Sequence, residues 1–550
     1  MRKHSVDLIY LDPPFNSNKN YNLMYKRETG QAVPESVDAF CDTWNLDAEK
    51  EEIIRAMPEL MEEHEVPSFY VDFWRFWIKA LRQTQPHLLA YLTYMVERLL
   101  YMKSILRPTG SIYLHCDPAA SHYIKIMMDA IFNHSNFRSE IIWRRSASHN
   151  KITKQFGPIH DVILYYSASD KATFHPPKSP YTKSYVSKAF RHKDGRGYYR
   201  LNELTGSGIR FGESGEEWMG YDPSARGRHW AIPASLREGL LGRGVGMGTQ
   251  AMLDQLHQAG EIVFSGSGRP SYKQRLGDGI PLQDIWAYQP GTKGVLVDED
   301  AEIDQDVKWL DSEAERLGYP TQKPIGLLKR IIQSSSNVGE TVFDPFCGCG
   351  TTIYAAHELG RKWIGCDIAI LPIRLISNQL QNEKYRLVEG VDFAVTGIPS
   401  SVEQAEALFL EDPHTFQSWL VERVGGFPSS RRSGDRGIDG KVFFETSEGL
   451  QAVILSVKGG NIGPKDVRDL RGVLERESDA RMAGFLSLRE PTRGMLEEAA
   501  TAGMYEYQGV RYPRIQCLTV RDILEDRRML ITPTRVGARG ASRQGNLALA

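Results

Sequence analysis

The stretch Val342–Thr352, VFDPFCGCGTT, limits what this chain can fold into more than any other. Three β-forming residues, Thr341, Val342 and Phe343, lead into Asp344, Pro345 and Phe346. A short loop with Gly348 and Gly350 follows, and the run from Thr351 to Ala356 reads as the start of a helix. Strand, tight glycine loop and helix let a backbone come close to a nucleotide-like ligand. A second apolar run, Trp363-Ile364-Gly365-Cys366, ends on Asp367, 23 residues after Asp344. An acid at the end of the second strand is where a ribose hydroxyl would be gripped. No Lys-Ser or Lys-Thr pair follows the glycines, which excludes a phosphate-cradling Walker loop. Cys347 and Cys349 stand inside the loop as C-x-C with no second pair nearby, so they read as small loop residues and not as a zinc site.

Far upstream, the strand Val6-Asp7-Leu8-Ile9-Tyr10-Leu11 runs into Asp12-Pro13-Pro14-Phe15. As a bare tetrapeptide this is a rigid turn after a strand. It also suits chemistry at an exocyclic base amine, a poor nucleophile because its lone pair is conjugated with the ring. Asp12 can accept a hydrogen bond from the amine, and the Pro13 carbonyl can accept the other. Phe15 offers a face on which an extruded base can stack. The pair FDPFCGCGTT and DPPF resembles the S-adenosylmethionine (SAM) site and catalytic motif of DNA amino-methyltransferases. The order, catalytic motif first and SAM loop last, is similar to the β class of that family, over roughly residues 5–395.

The resemblance implies several further assignments. Asp344, Pro345, Phe346, Gly348, Gly350, Thr351 and Asp367 would bind SAM, and Thr321, Gln322 and Lys323 of YPTQKP would offer donors to its carboxylate. His115 and Asp117, ending the strand from Ser111, would line the target pocket as weaker candidates than Asp12. Asp with Phe in the catalytic motif leans toward adenine N6; Ser in the Asp position would lean toward cytosine N4. Double-stranded DNA is the implied partner, with a second copy of the chain or a restriction subunit as further partners left open. Family members carry an upstream hairpin or strand with a Gly-Asp turn, so the abrupt start at Ser5 implies a late start site or a truncated gene, and with it impaired activity.

Composition sets the outer bounds. Hydrophobic content of 41% and charged content of 25% over 550 residues are those of a soluble globular protein of about three to four domains. No apolar run is long enough for a membrane span, and the short N-terminal run interrupted by Asp7 is no secretory signal. Six scattered cysteines fit a reducing cytoplasm. A net charge of −2 means that any DNA affinity must come from local patches.

Two such patches stand out. Arg144, Arg145, Lys151 and Lys154, with Ser146, Ser148 and Asn150, form a basic polar loop between the strands Asn136–Trp143 and Asp161–Tyr166, which favours a phosphate contact. Residues 171–230 hold 11 Lys/Arg against 6 Asp/Glu, interleaved with Tyr181, Tyr185, Tyr198, Tyr199, Trp218, Tyr221 and Trp230, as suits a DNA-reading insertion. The aromatic run Phe69–Trp77 reads instead as helix core.

The expected plan is α/β throughout. A Rossmann-like SAM-dependent methyltransferase sheet is built from a catalytic half (1–167) and a SAM-binding half (286–395), separated by a recognition insertion (168–285). A linker (396–412), a small α/β domain (413–530) and a disordered tail (531–550) follow. In the small domain GIDG precedes a strand ending in Lys458, which resembles the restriction-endonuclease-like, Mrr-type fold. Asp439 and Lys458 match its metal site, while Ser456 stands where Glu or Gln is expected, so magnesium enters only if this domain is an active nuclease. A methyltransferase acting on RNA or protein, a single-chain restriction–modification enzyme and a catalytically idle DNA-binding protein are the competing readings.

Overall fold

The computed structural model describes residues 1–14, 20–23, 37–41, 44–147, 156–240, 247–289, 293–296, 299–310, 315, 317, 321–429, 437–446 and 449–533. The chain divides into two compact units, 176–305 and the remainder.

The larger unit is built on a mixed sheet of β1 (Val6–Leu11), β2 (Leu106–Cys116), β3 (Phe137–Arg144), β4 (His160–Ser167), β5 (Thr341–Asp344) and β6 (Lys362–Gly365). Its own strands run in the order β3-β4-β2-β1-β5-β6. The four strands β2, β1, β5 and β6 are mutually parallel, β4 is antiparallel to β2, and β3 is antiparallel to β4. All six residues of β1 are buried, as a parallel strand covered on both faces requires. Asp7 locks the register: its carboxylate accepts from Arg107 Nη1 and Thr341 N, both at 2.9 Å.

One face is covered by α1 (Ala48–Glu63), α2 (Ser68–Thr84), α3 (Pro86–Ile105) and α4 (Pro118–Phe132), whose buried residues merge with those of β1, β2 and β4 in one core. The aromatic run in α2 is only half core. Val71, Trp74 and Trp77 face inward, while Phe69 and Phe76 are 64% and 65% exposed. A helical period cannot bury all six aromatics of Phe69–Trp77 on a single face. Beyond the crossover lie α5 (Ile325–Ser335), α6 (Thr351–Glu358) and α7 (Ile370–Gln381).

The chain leaves β1 toward β2 on one side, whereas β5 leads through α6 to β6 on the other. β1 and β5 therefore flank the switch point of the sheet, where a crevice opens at the carboxyl ends of the strands.

Past α7, the expected linker is largely a helix. α8 (Val402–Glu411) puts Val402, Ala405, Leu408 and Phe409 on one face, and that stripe packs into the core of the C-terminal sheet. The apolar spacing, overlooked beside Pro399 and the acids, is the reason for the difference. α9 (Pro413–Arg423) follows, capped by Asp412 through His414 N and Thr415 N. The C-terminal sheet runs Phe427–Pro428, β7 (Gly440–Thr446), β8 (Gly449–Lys458), β9 (Ala480–Ser487) and β10 (Ile515–Thr519) in sequence order. Its first three strands are antiparallel and the last two parallel to β8. α10 (Pro464–Arg476) and α11 (Arg493–Thr501) share the second core of this sheet. The expected tail is described only as far as residue 533.

The smaller unit begins at Pro176 and ends at Gln305, against the expected 168–285. Residues up to His175 stay with the larger unit, where His175 N donates to Ser334 O at 2.7 Å. At the other end Lys293–Leu296 pairs with both Glu299–Glu302 and Tyr181–Thr182, which keeps 286–305 with the insertion. Four antiparallel strands, Ile262–Phe264, Pro270–Arg275, Gly197–Glu203 and His192–Asp194, form its main sheet. Trp218, Tyr221 and Trp230 are buried in its core with Leu253 and Leu256, so these aromatics hold the unit together and do not face a base.

Candidate functional site

Because β1 and β5 are adjacent and parallel, with Leu8 opposite Val342 and Ile9 opposite Phe343, their carboxyl ends meet. That pairing brings Asp12 and Asp344 to one edge of the sheet. Lys323, just before α5, completes the junction: its Nζ lies 2.5 Å from Asp12 Oδ2 and 3.3 Å from Thr321 O. Both partners are largely enclosed, with side chains 10% and 15% exposed.

The glycine loop is sewn together by its own acids. Asp344 accepts from Phe346 N at 3.0 Å and from Thr352 Oγ1 at 2.5 Å, so one carboxylate ties the strand end to the first turn of α6. Asp367 accepts from Gly348 N at 3.0 Å and Ala369 N at 2.9 Å. Gly350 holds φ 87° as the residue before α6, and a Cβ there would lie 2.6 Å from Ile376 Cγ1. Only glycine fits. Burial pushes the Asp344 carboxyl up to about 7, with Asp12 and Asp367 adding to the rise against the two hydrogen bonds. Burial likewise raises Asp367, against the backbone donors of the loop. Phe346 is half-buried beside the Tyr94 ring of α3, with centroids 6.2 Å apart.

The remaining candidates divide. Pro13 is buried and Pro14 half-buried at the end of β1, whereas Phe15 lies outside the described residues. Gln322 spends its side chain on the loop, donating to Glu315 O and accepting from Leu317 N, both at 2.7 Å. It therefore shapes the segment and is not a donor in reserve. Asp117 caps α4 through Ala119 N and Ala120 N. His115 is fully buried between Tyr10 and Asp161. Of the basic loop, Arg144, Arg145 and Ser146 are described, while Ser148, Asn150, Lys151 and Lys154 fall outside the described residues.

In the C-terminal domain Asp439 accepts from Val457 N at 2.7 Å, which sets it beside β8 one residue short of Lys458. Among the described residues no three or more His, Cys, Asp or Glu gather to hold a metal ion. Nor is any helix among them long and apolar enough to cross a membrane.

Sequence reading missed Tyr10, Asp161 and Thr352. Asp161 carried a usable signal, an acid opening the otherwise apolar strand DVILYY at the edge where Asp12 lies. Thr352 looked like any residue of a helix start.

A family model described as DNA methylase, of the N6/N4 methyltransferase type, matches residues 6–377, more than half of the chain. The chain belongs to this DNA methylase family. The matched span ends inside α7 and leaves the C-terminal domain outside it. The Type II methyltransferase M.EcaI of Enterobacter cloacae is 30% identical over 292 residues, covering 52% of this chain and 56% of the relative. The Mod subunit of the Type III restriction-modification enzyme StyLTI of Salmonella typhimurium is 23% identical over 367 residues, covering 65% of this chain and 47% of the relative. The DNA adenine methyltransferase YhdJ of Escherichia coli is 53% identical over 62 residues, 11% of this chain and 20% of the relative. The chain thus spans about half the length of the first two curated relatives. Among solved structures, the M1.HpyAVI–SAM complex overlays with 14% identity over 52% of this chain and 83% of that chain, at a TM-score of 0.26. The cytosine-N4-specific PvuII DNA methyltransferase overlays with 11% identity over 71% of this chain and 82% of that chain, also at 0.26.

Proposed function

We propose that this DNA methylase transfers a methyl group from S-adenosylmethionine to an exocyclic amine of double-stranded DNA, adenine N6 before cytosine N4. The meeting of Asp12 and the Asp344–Thr352 loop across β1 and β5 carries this reading, because it places an amine acceptor beside a nucleotide-binding crevice. The residues at the crevice fit SAM. Gly350 keeps the loop tight against Ile376 and Tyr354, Asp367 stands half-exposed at the end of β6, and Phe346 offers a half-exposed ring.

When bound, SAM supplies an electrophilic methyl group on a sulfonium. Asp367 would hold the ribose hydroxyl. Lys323 and Thr321 stand at the segment that closes over the methionine end, as the resemblance implies. Asp12 and the Pro13 carbonyl accept the two hydrogens of the amine, which turns its lone pair out of conjugation. An amine that gains a methyl group has one proton to lose, and the Asp12 carboxylate would accept it. The target base has to leave the helix stack to reach this edge, at a cost of a few kcal/mol.

Asp12→Ala tests the assignment. Methyl transfer is lost while SAM affinity, measured by calorimetry, stays within a few-fold. Loss of SAM binding together with activity would move Asp12 into the cofactor site.

A second reading concerns the C-terminal domain. Its helix, antiparallel strands, crossover helix and parallel strands, with Asp439 and Lys458 at one end, support a nuclease-like fold. Asp439 already serves Val457 N, and Ser456 offers only a hydroxyl where magnesium favours carboxylate. This domain grips DNA without cutting it.

A further inference from the structure

Beneath Asp12 runs a line of hydrogen bonds through the sheet. Tyr10 Oη lies 2.9 Å from His115 Nδ1, His115 Nε2 lies 3.1 Å from Asp161 Oδ2, and Arg145 Nη1 donates to Asp161 Oδ1 at 2.9 Å. Tyr10, His115 and Asp161 are essentially solvent-free and come from the adjoining strands β1, β2 and β4. Polar side chains so deep cost stability unless each bond is made.

Charge fixes where the protons sit. Burial pushes the Asp161 carboxyl up, but the His115 bond and the charges of His115, Lys323 and Arg145 outweigh it and hold it below the usual carboxylate range. An ionised Asp161 can only accept, so His115 Nε2 carries the hydrogen. The other ring nitrogen, Nδ1, meets Tyr10 Oη. The Tyr10 phenol is pushed well above its ordinary value by burial first and then by Asp12, Asp344 and Asp161, so it stays protonated. Lys323, 2.5 Å from Asp12, is among the charges that lower Asp161.

We infer that Asp161 and His115 are positioning residues for Asp12. Asp161 anchors His115 at Nε2 and is itself held by Arg145, so it sets the ring that meets Tyr10. His115 holds Tyr10, which braces the end of the strand from which Asp12 extends. This rests on Asp12 being the amine acceptor. A cluster that merely stabilised the core would set the melting temperature and leave turnover per folded molecule alone.

The test uses the full chain, duplex DNA and SAM with a labelled methyl group, comparing Asp161→Asn, Tyr10→Phe and the double variant. Asp161→Asn lowers kcat about tenfold or more, with the SAM Kd within about twofold, because the His115 ring that holds Tyr10 then loses its anionic anchor. Tyr10→Phe, which removes only a hydroxyl and keeps the ring in place, lowers kcat by a smaller factor. The double variant is no slower than Asp161→Asn, because both act through His115. Multiplicative losses, or a lower melting temperature with wild-type kcat, would overturn the inference. Should Asp161→Asn fail to fold, wild-type kcat in Tyr10→Phe overturns it as well. A wild-type chain that transfers no methyl group would instead remove the reading of Asp12 beneath it.

Discussion

Lys323 Nζ and Asp12 Oδ2 lie 2.5 Å apart across 311 residues of sequence. The pair joins the end of β1 to the segment entering α5. Lys323→Met leaves a mostly enclosed carboxylate without its cation, at a cost of about 1–3 kcal/mol. Adding Asp12→Asn recovers part of that loss, because the uncompensated charge is gone. Denaturant unfolding of the two single variants and the double checks this. Full additivity would mean that the pair is not coupled.

The pH dependence of stability follows from Asp344, raised from 3.8 to about 7. The folded chain keeps this proton where the unfolded chain has released it. The contribution is therefore fully present below the ordinary carboxylate value and is lost as pH rises through about 7. Asp344→Asn should flatten the melting temperature between about pH 5 and pH 8 relative to wild type. An unchanged slope would place the titration elsewhere.

Much of this site was legible in local signals, and its assembly was not. Strand, turn and helix around Asp344 follow from Thr341–Phe343, Gly348 and Gly350, and the structure keeps them nearly to the residue. Asp12 could be picked out because two prolines follow it at the end of a strand that is apolar but for Asp7. That Asp12 meets Lys323 depends on β1 pairing with β5, a long-range choice with no local trace. Gln322 shows the limit from the other side. Its place in a donor-rich segment was visible, but its use by Glu315 and Leu317 depends on how an irregular loop folds back on itself. Trp218 and Trp230 looked like base-stacking groups because exposure cannot be read from composition, and they fill the core of the insertion.

Gly350→Ala forces a Cβ to 2.6 Å from Ile376 Cγ1 and 3.1 Å from Tyr354 Cζ at a φ of 87°. The expected cost is about 1–3 kcal/mol of stability together with weakened SAM binding. Asp367→Ala should also weaken SAM, by about 1.5–3 kcal/mol, and in addition loosen the loop by freeing Gly348 N. Calorimetry beside thermal melting separates the two effects. Unchanged SAM affinity in Asp367→Ala would leave that acid a purely structural role.

The C-terminal domain should not cut DNA. Incubating the whole chain with methylated and unmethylated plasmid and Mg²⁺ or Mn²⁺ should leave both intact, while a gel shift still registers binding. Cleavage that disappears in Asp439→Ala would make this a single-chain restriction–modification enzyme.

The central claim is methyl transfer to a DNA amine through Asp12. Duplex DNA exposed to the purified chain and SAM is digested to nucleosides and read by mass spectrometry. The account predicts N6-methyladenine from the wild-type chain and none from Asp12→Ala. Unmodified DNA from a folded, SAM-binding wild-type chain, or equal methylation by Asp12→Ala, would contradict it.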